Sequence, residues 1–370
     1  MPENNMRVAI VCDWLLGTGG AERVVLELHR MFPDAPIYTS QYDSSKIDWF
    51  KDADVRTTWL QKLPRGLKKF LPVLRAWAFS HLYLSEYDVV ISATGAESKA
   101  VRSSKDTVHI CYCFAPTHYY WSRYEQYMKS PGFGAFDWLA RIGLGVLVGP
   151  MRRWDKHAAK HPDFFISIST HIQKEIKKYY GRESVIIHPP VDTARFQAKS
   201  NEHGFVVVGR QTPYKRIDLA VSACSKLNLP LTVIGDGPEQ DRLRKLAGPT
   251  IQFLTNASDQ DVTKYIQEAT AFVFPGLDDF GIVAVEAMAA GIPVIAYQAG
   301  GALDYVIPGK TGEFFTKPTV DALVDILKKF DPNKYSASGI QKHAAQFDVN
   351  SFHKNIKEYV ARVVAKESNK

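Results

Sequence analysis

Asp278 and Glu286 stand eight residues apart in PGLDDFGIVAVEAMAAGIPVIAY (residues 275–297), and their setting determines what chemistry they can do. The preceding run AFVFP (271–275) is short, apolar and rich in β-branched and aromatic residues, which reads as a buried parallel strand. A loop carrying Asp278 and Asp279 follows. IVAVEAMAAG then reads as a helix stopped by Gly291 and Pro293, and residues 294–297 form the next strand. In open α/β sheets, ligands bind where such loops leave the carboxyl ends of the strands. Asp278 would stand in the loop and Glu286 one or two turns into a helix whose small neighbours, Ala284, Ala287, Ala289 and Ala290, allow close approach. The plainer reading is a loop carboxylate and a solvated helix residue.

Three more groups carry possible chemistry. GRQTPYKR (209–216) follows a strand, and Arg210 and Lys215 could both point at a diphosphate, one as a planar fork and the other as a mobile point charge. Near the start, Gly17, Gly19 and Gly20 occupy a strand-to-helix turn. Glycines there allow φ > 0 and close backbone approach, and the helix N-terminus can receive a phosphate; tight packing without a ligand explains them equally well. Their G-x-G-G spacing is not the dinucleotide fingerprint, and no P-loop is present. His118 lies just past a strand among Phe114, Tyr119, Tyr120 and Trp121. Its ring could hydrogen-bond a hydroxyl or phosphate while aromatics cover a sugar face, or it could be a satisfied structural histidine. No Asp-x-Asp pair of metal-ligating spacing stands at a strand end, so the expected metal set is empty and protein cations must neutralise any leaving-group charge.

The elements that position these groups alternate along the whole chain. Strands are expected at 7–12, 35–38, 87–92, 108–113, 164–169 and 184–188, and again at 204–210, 231–234, 251–255, 271–275 and 294–297. Helical periods fall between them. PPVDTARF (189–196) is a stiff, turn-rich joint. The reading is α/β, with two Rossmann-like parallel domains facing a cleft: residues 1–188, residues 189–350, and a last helix in 351–370. GKTGEFF (309–315) reads as a turn.

With 370 residues, 45% apolar and 23% charged, the composition is that of an ordinary globular chain of two domains. Residues 1–190 hold 25 basic and 19 acidic side chains, whereas the remainder holds 21 and 20. That field suits anionic ligands or an anionic membrane surface and is too weak for nucleic acid. Four scattered cysteines argue against a disulfide framework and for a cytoplasmic chain. We find no signal-peptide pattern and no run long and apolar enough to span a bilayer. Residues 56–84 carry Arg56, Lys62, Arg65, Lys68, Lys69 and Arg75, no acid, and interleaved Trp and Leu around Leu67 and Phe70. This is either an interfacial amphipathic segment or a helix with a solvated basic side. The Gly-, Trp- and apolar-rich stretch 129–159 could join it in one membrane-facing or acceptor-facing surface.

On these motifs the chain resembles family 4 glycosyltransferases of the GT-B fold, closest to bacterial mannosyltransferases of glycan and lipopolysaccharide assembly. The residues that carry the resemblance are the spaced acids with the following A-x-G-x-P turn, GTGGAERVV, GRQTPYKRIDLAV, VIGDGPEQDRL, HPPVDTARF and HICYCFAPTHYYW. The resemblance implies a first acceptor-binding domain, a second nucleotide-sugar domain and a C-terminal helix crossing back to the first. It implies that Asp278 lies by the transferred sugar, that Glu286 takes the ribose, and that Arg210 and Lys215 hold the pyrophosphate. Gly19 and Gly20 would approach phosphates and sugar, and His118 would lie near the sugar. Asp279, Phe280, Gly281 and Ile282 would complete the donor site, with the base near Asn256. Asp278 departs from the commoner Glu and is one methylene shorter. The implied reaction is retaining transfer of a hexose, mannose from GDP-mannose foremost, onto a glycan or polyprenyl-diphosphate-linked oligosaccharide, with no cofactor, at the inner face of the cell membrane. The alternatives are another GDP- or UDP-sugar donor, a nucleotide-sugar epimerase, a phosphorylase, or an inactive glycan-binding scaffold.

Overall fold

A computed structural model describes residues 6–64, 71–129, 131–132, 134, 137–199 and 204–368. The chain forms two compact units, Met1–His188 with His353–Lys370, and Pro189–Phe352. The fold of each follows from its central strands, which are short apolar runs buried on both faces and therefore pair in parallel under helices.

In the first unit the strands are β1 (Val8–Cys12), β2 (Ile37–Thr39), β3 (Val55–Thr57), β4 (Val89–Thr94), β5 (Val108–Cys113), β6 (Phe164–Ser167) and β7 (Val185–Ile186), in the order β3-β2-β1-β4-β5-β6-β7. Every pairing is parallel. β1, β4 and β5 are buried at every position, as the centre of a covered sheet must be. The helices are α1 (Gly20–Met31), α2 (Pro72–Ser80), α3 (Tyr124–Lys129), α4 (Asp137–Ala158) and α5 (Thr170–Tyr180).

The second unit orders its strands β10-β9-β8-β11-β12-β13, again all parallel. They are β8 (Phe205–Val208), β9 (Leu231–Ile234), β10 (Ile251–Leu254), β11 (Ala271–Phe274), β12 (Val294–Tyr297) and β13 (Gly312–Phe315). α6 (Ile217–Leu227), α7 (Gln240–Leu246), α8 (Asp259–Gln267), α9 (Ile282–Ala289), α10 (Val320–Lys329) and α11 (Ala337–Ala344) complete it. One cluster packs Val207, Val233, Val273 and Ile295 from the sheet against Ala220, Val221 and Cys224 of α6 and Leu323 and Leu327 of α10. At roughly 1.5–3 kcal/mol for each fully buried large aliphatic side chain, such layers dominate the stability of the sheet. α12 (Val349–Ser368) follows, and from His353 onward it belongs to the first unit.

Three expectations are corrected. GKTGEFF is not only a turn, because residues 312–315 pair with β12 as strand β13. None of Gly17, Gly19 and Gly20 adopts a positive φ. Gly19 is extended at φ −169°, which any residue adopts, and a Cβ there would meet only the movable carboxylate end of Glu22. Within 56–84, Arg75 is no solvated cation. It is 4% exposed, with Nε donating to Glu97 Oε2 at 2.8 Å and the guanidinium over the Trp14 ring. Arg65, Leu67, Lys68, Lys69 and Phe70 lie outside the described residues.

Candidate active site

Each sheet reverses its strand order once, between β1 and β4 in the first unit and between β8 and β11 in the second. Loops diverge at such a switch point and leave a crevice at the carboxyl ends of the strands. In the second unit the two loops there are 209–216, after β8, and 275–281, after β11. They carry the predicted cations and the predicted acid.

The two loops meet. Lys215 Nζ donates to Asp278 Oδ2, and both side chains are largely covered, 19% and 15% exposed. The approach requires glycine at Gly276, where a Cβ would lie 2.7 Å from Lys215 Cα and from the Tyr214 carbonyl oxygen. Behind the acid, Gly301 N–H donates to the Asp278 carbonyl at 2.9 Å, and a Cβ on Gly300 (φ +68°) would strike the same oxygen. Asp278 is thus fixed by its backbone and its side chain is aimed at Lys215. Asp279 lies beside it, half-buried.

Phe280, Gly281 and Ile282 form the entry to α9. Tyr305 Oη donates to the Phe280 carbonyl at 2.9 Å, and the Phe280 ring packs edge-on to Tyr305 and against Phe347. Gly281 caps the helix at φ 92°, a left-handed conformation that glycine adopts without strain. The first turn of α9 therefore follows the Asp278 loop directly, with Ala284 N–H donating to Gly281 O at 3.0 Å. Glu286 is on α9 and only 6% exposed, so the solvated-residue reading fails for it. Arg210 is exposed at the end of β8, next to a fully buried Gln211 whose Nε2 donates to Gly235 O at 2.7 Å. Asn256 follows β10 at the sheet edge in the left-handed region, φ 57°.

The remaining predicted residues belong to the first unit. Gly19 and Gly20 begin α1. His118, half-buried, follows β5 with Nδ1 2.9 Å from Ser122 Oγ. Residues that sequence reasoning passed over hold this end in place. Asp13, after β1, accepts from Thr94 Oγ1 at 2.9 Å, Gly95 N at 3.0 Å and Ser98 N at 2.8 Å. An acid immediately after the first strand was the available signal. Asp155 of α4, fully buried, takes Lys99 Nζ at 2.7 Å, Thr117 Oγ1 at 3.0 Å, Trp121 Nε1 at 2.7 Å and Tyr180 Oη at 2.8 Å. Burial raises the Glu97 carboxyl above its ordinary range against the nearby Arg75 charge, and Tyr119 Oη donates to it. A buried charge keeps its place only when paired and hydrogen-bonded, so these networks lock the loops on both sides of His118.

Comparison with known proteins agrees with this geometry. The profile described as "Glycosyltransferase Family 4" matches residues 18–195, and "Glycosyl transferases group 1" matches residues 190–347. A GDP-mannose-dependent alpha-(1-6)-phosphatidylinositol monomannoside mannosyltransferase of Mycolicibacterium smegmatis is 28% identical over 48% of this chain and 56% of its own length. A glycogen synthase of Mycobacterium tuberculosis is 28% identical over 45% of each. The chain spans about half the length of the curated relatives it matches. Among solved structures, sucrose-phosphate synthase of Thermosynechococcus elongatus superposes with TM-score 0.73 at 16% identity, covering 97% of this chain and 100% of that one. With both units α/β and parallel, the fold is GT-B, and no described helix is long and apolar enough to cross a membrane. The chain belongs to glycosyltransferase family 4.

Proposed function

We propose that the chain transfers mannose from GDP-mannose, with retention, to a glycan or polyprenyl-diphosphate-linked oligosaccharide at the inner face of the cell membrane. The observation that carries the reading is the Lys215–Asp278 contact at the β8/β11 switch point, because it joins the loop assigned to the diphosphate to the loop assigned to the sugar. In this reading the second unit holds the donor and the first receives the acceptor. Arg210 and Lys215 neutralise the diphosphate, Gly19 and Gly20 offer backbone amides, and Glu286 takes the ribose. Asp278 and Asp279 hold sugar hydroxyls, Phe280, Gly281 and Ile282 line the donor, Asn256 borders the base, and His118 lies near the sugar. The acceptor hydroxyl attacks the anomeric carbon on the face the diphosphate leaves. The carbon–oxygen bond to the diphosphate breaks, and the departing phosphate oxygen takes the acceptor's proton. Fixed cations at the leaving oxygens stabilise the charge that develops there.

Support for the donor is that the Mycolicibacterium relative is a GDP-mannose-dependent mannosyltransferase. A second donor reading, UDP-glucose, is supported by the Anabaena protein HepE, crystallised with UDP-glucose, at TM-score 0.70 and 18% identity over 97% of this chain and 100% of that one. Thermal melting against GDP-mannose, UDP-glucose and ADP-glucose separates them, since ligand at about 100 times its Kd adds about 2.7 kcal/mol. The largest shift is expected with GDP-mannose, followed by acceptor-dependent GDP release and an α-linked product. A larger shift with UDP-glucose replaces the donor, and no shift with any nucleotide sugar overturns the reading.

A further inference from the structure

Four charged side chains lie buried around one short segment of the first unit. Glu97 and Lys99 follow β4, two residues apart and opposite in charge, and are 0% and 1% exposed. Each takes its partner from a different helix. Glu97 Oε2 accepts from Arg75 Nε of α2 at 2.8 Å, and Lys99 Nζ lies 2.7 Å from Asp155 Oδ1 of α4. Ser98 between them donates its N–H to Asp13 Oδ1 at 2.8 Å, which ties the segment to the end of β1. Stability alone does not account for this arrangement. Exchanging a buried ion pair for apolar residues of similar volume is often neutral or stabilising, because desolvation offsets the attraction. What a hydrogen-bonded charge pair adds is direction.

Both acids direct their remaining bonds to one turn. Glu97 Oε1 accepts from Tyr119 Oη. Asp155 Oδ1 accepts from Thr117 Oγ1 at 3.0 Å, and its Oδ2 accepts from Trp121 Nε1 at 2.7 Å and from Tyr180 Oη of α5 at 2.8 Å. Trp121 N–H donates to Thr117 O at 3.1 Å, so Thr117 and Trp121 stand one helical turn apart on one face and meet the same carboxylate. Residue 118 is thereby bracketed, with 117 and 119 each anchored to a buried acid. Its carbonyl accepts from Trp121 N at 3.2 Å and from Arg123 N at 3.0 Å. The half-buried ring that this backbone carries has Nδ1 2.9 Å from Ser122 Oγ.

We propose that Glu97 and Asp155 are positioning residues for the transfer step: they fix the turn 117–122 so that His118 presents one ring orientation and one tautomer. Arg75 and Lys99 serve the same end by holding the two acids in place. Neither acid needs to touch a substrate in this role, and each acts only through the imidazole. That the ring acts on the substrates rests on the proposed function; that it is held in a single orientation does not.

The tethers can be cut while both ion pairs remain. Tyr119→Phe with Trp121→Phe removes one hydroxyl and one indole N–H and leaves Arg75–Glu97 and Lys99–Asp155 intact. Ring orientation is read on the full chain without substrate, from the proton–nitrogen correlations of the imidazole, assigned by their loss in His118→Ala. The wild type is expected to show one tautomer and the double variant an averaged pattern. Transfer supplies the second reading. The double variant is expected to lose about 10–100-fold in kcat, the scale of a misplacement near 1 Å, while its melting temperature and GDP affinity stay close to the wild type. Made in the His118→Ala protein, the same two changes should cost less than about twofold, because the group they serve is gone. Should the double variant fail to fold, Tyr119→Phe alone gives the same comparison. An unchanged His118 signature overturns the proposal. So does an equal loss of rate with and without His118, which is what a merely structural role produces. A wild type that transfers from no nucleotide sugar counts against the transferase reading instead, and the ring signature still decides the positioning.

Discussion

Lys215 and Asp278 define the electrostatic problem that the donor meets. In the free chain their charges satisfy each other in a largely covered place. An arriving diphosphate competes with Asp278 for Lys215. Removing Lys215 therefore takes away the anion's partner and also leaves a carboxylate unpaired beside it. Lys215→Ala is expected to weaken GDP binding by about 10–100-fold, the scale of a charge-assisted hydrogen bond worth about 1.5–3 kcal/mol. Asp278→Ala should act in the opposite sense on the nucleotide, since it releases Lys215 to the phosphates. Its GDP affinity is expected to stay equal or rise, while transfer falls by about 100-fold because the sugar loses its positioning group. Calorimetric titration with GDP and initial transfer rates read the two effects separately. An Asp278→Ala protein that transfers at the wild-type rate sinks the assignment.

At the level of elements, the sequence exposes what is local and hides what crosses the sheet. β5 and β11 could be read because a doubly covered strand is a continuous apolar run, and the Asp278 loop because Pro275 and Gly276 punctuate it. α4 could not, since Gly143, Gly145, Gly149 and Pro150 obscure its period; β13 begins on a glycine. Asp13 finds its partners 81 to 85 residues away, and Arg75 finds Glu97 22 residues away, so neither role shows in local spacing. His109 is a similar case, a polar residue inside a fully buried strand. Its Nε2 lies 2.9 Å from Ser92 Oγ on β4, and burial pushes its pKa from 6.5 down to about 3. Between those values the unfolded chain binds a proton that the folded chain refuses. Stability from this group is complete above the unfolded pKa and falls as pH drops, at a slope approaching about 1.4 kcal/mol per pH unit. Urea denaturation at about pH 7, 6, 5 and 4 should show that slope, with His109→Gln flatter than the wild type by nearly one proton. Parallel curves would remove His109 as the source.

For the whole molecule, the chain closes its first unit last. Ile356, Tyr359, Val360 and Val363 are buried at i, i+3, i+4 and i+7, the stripe of a helix packed on a core. The Tyr359 ring meets Phe164 at 90°, and His353 Nε2 lies 2.8 Å from Glu27 Oε2 of α1, 326 residues earlier in the chain. The first unit therefore gains its final helix only after the second has been made, and its stability draws on residues that follow the nucleotide-binding candidate. Ile356 is 1% exposed, and Ile356→Ala removes buried methyl and methylene groups at a cost of about 2–5 kcal/mol. The loss is expected in the first unit alone. In scanning calorimetry of the full chain, the variant should lower the transition that GDP does not shift and leave the GDP-stabilised transition in place. Calorimetric titration should give a GDP affinity within about twofold of the wild type, since no group at the β8/β11 crevice is touched. An affinity that falls together with the first unit's stability would mean that the first unit, through groups such as the Gly19 and Gly20 amides, carries a large share of nucleotide binding.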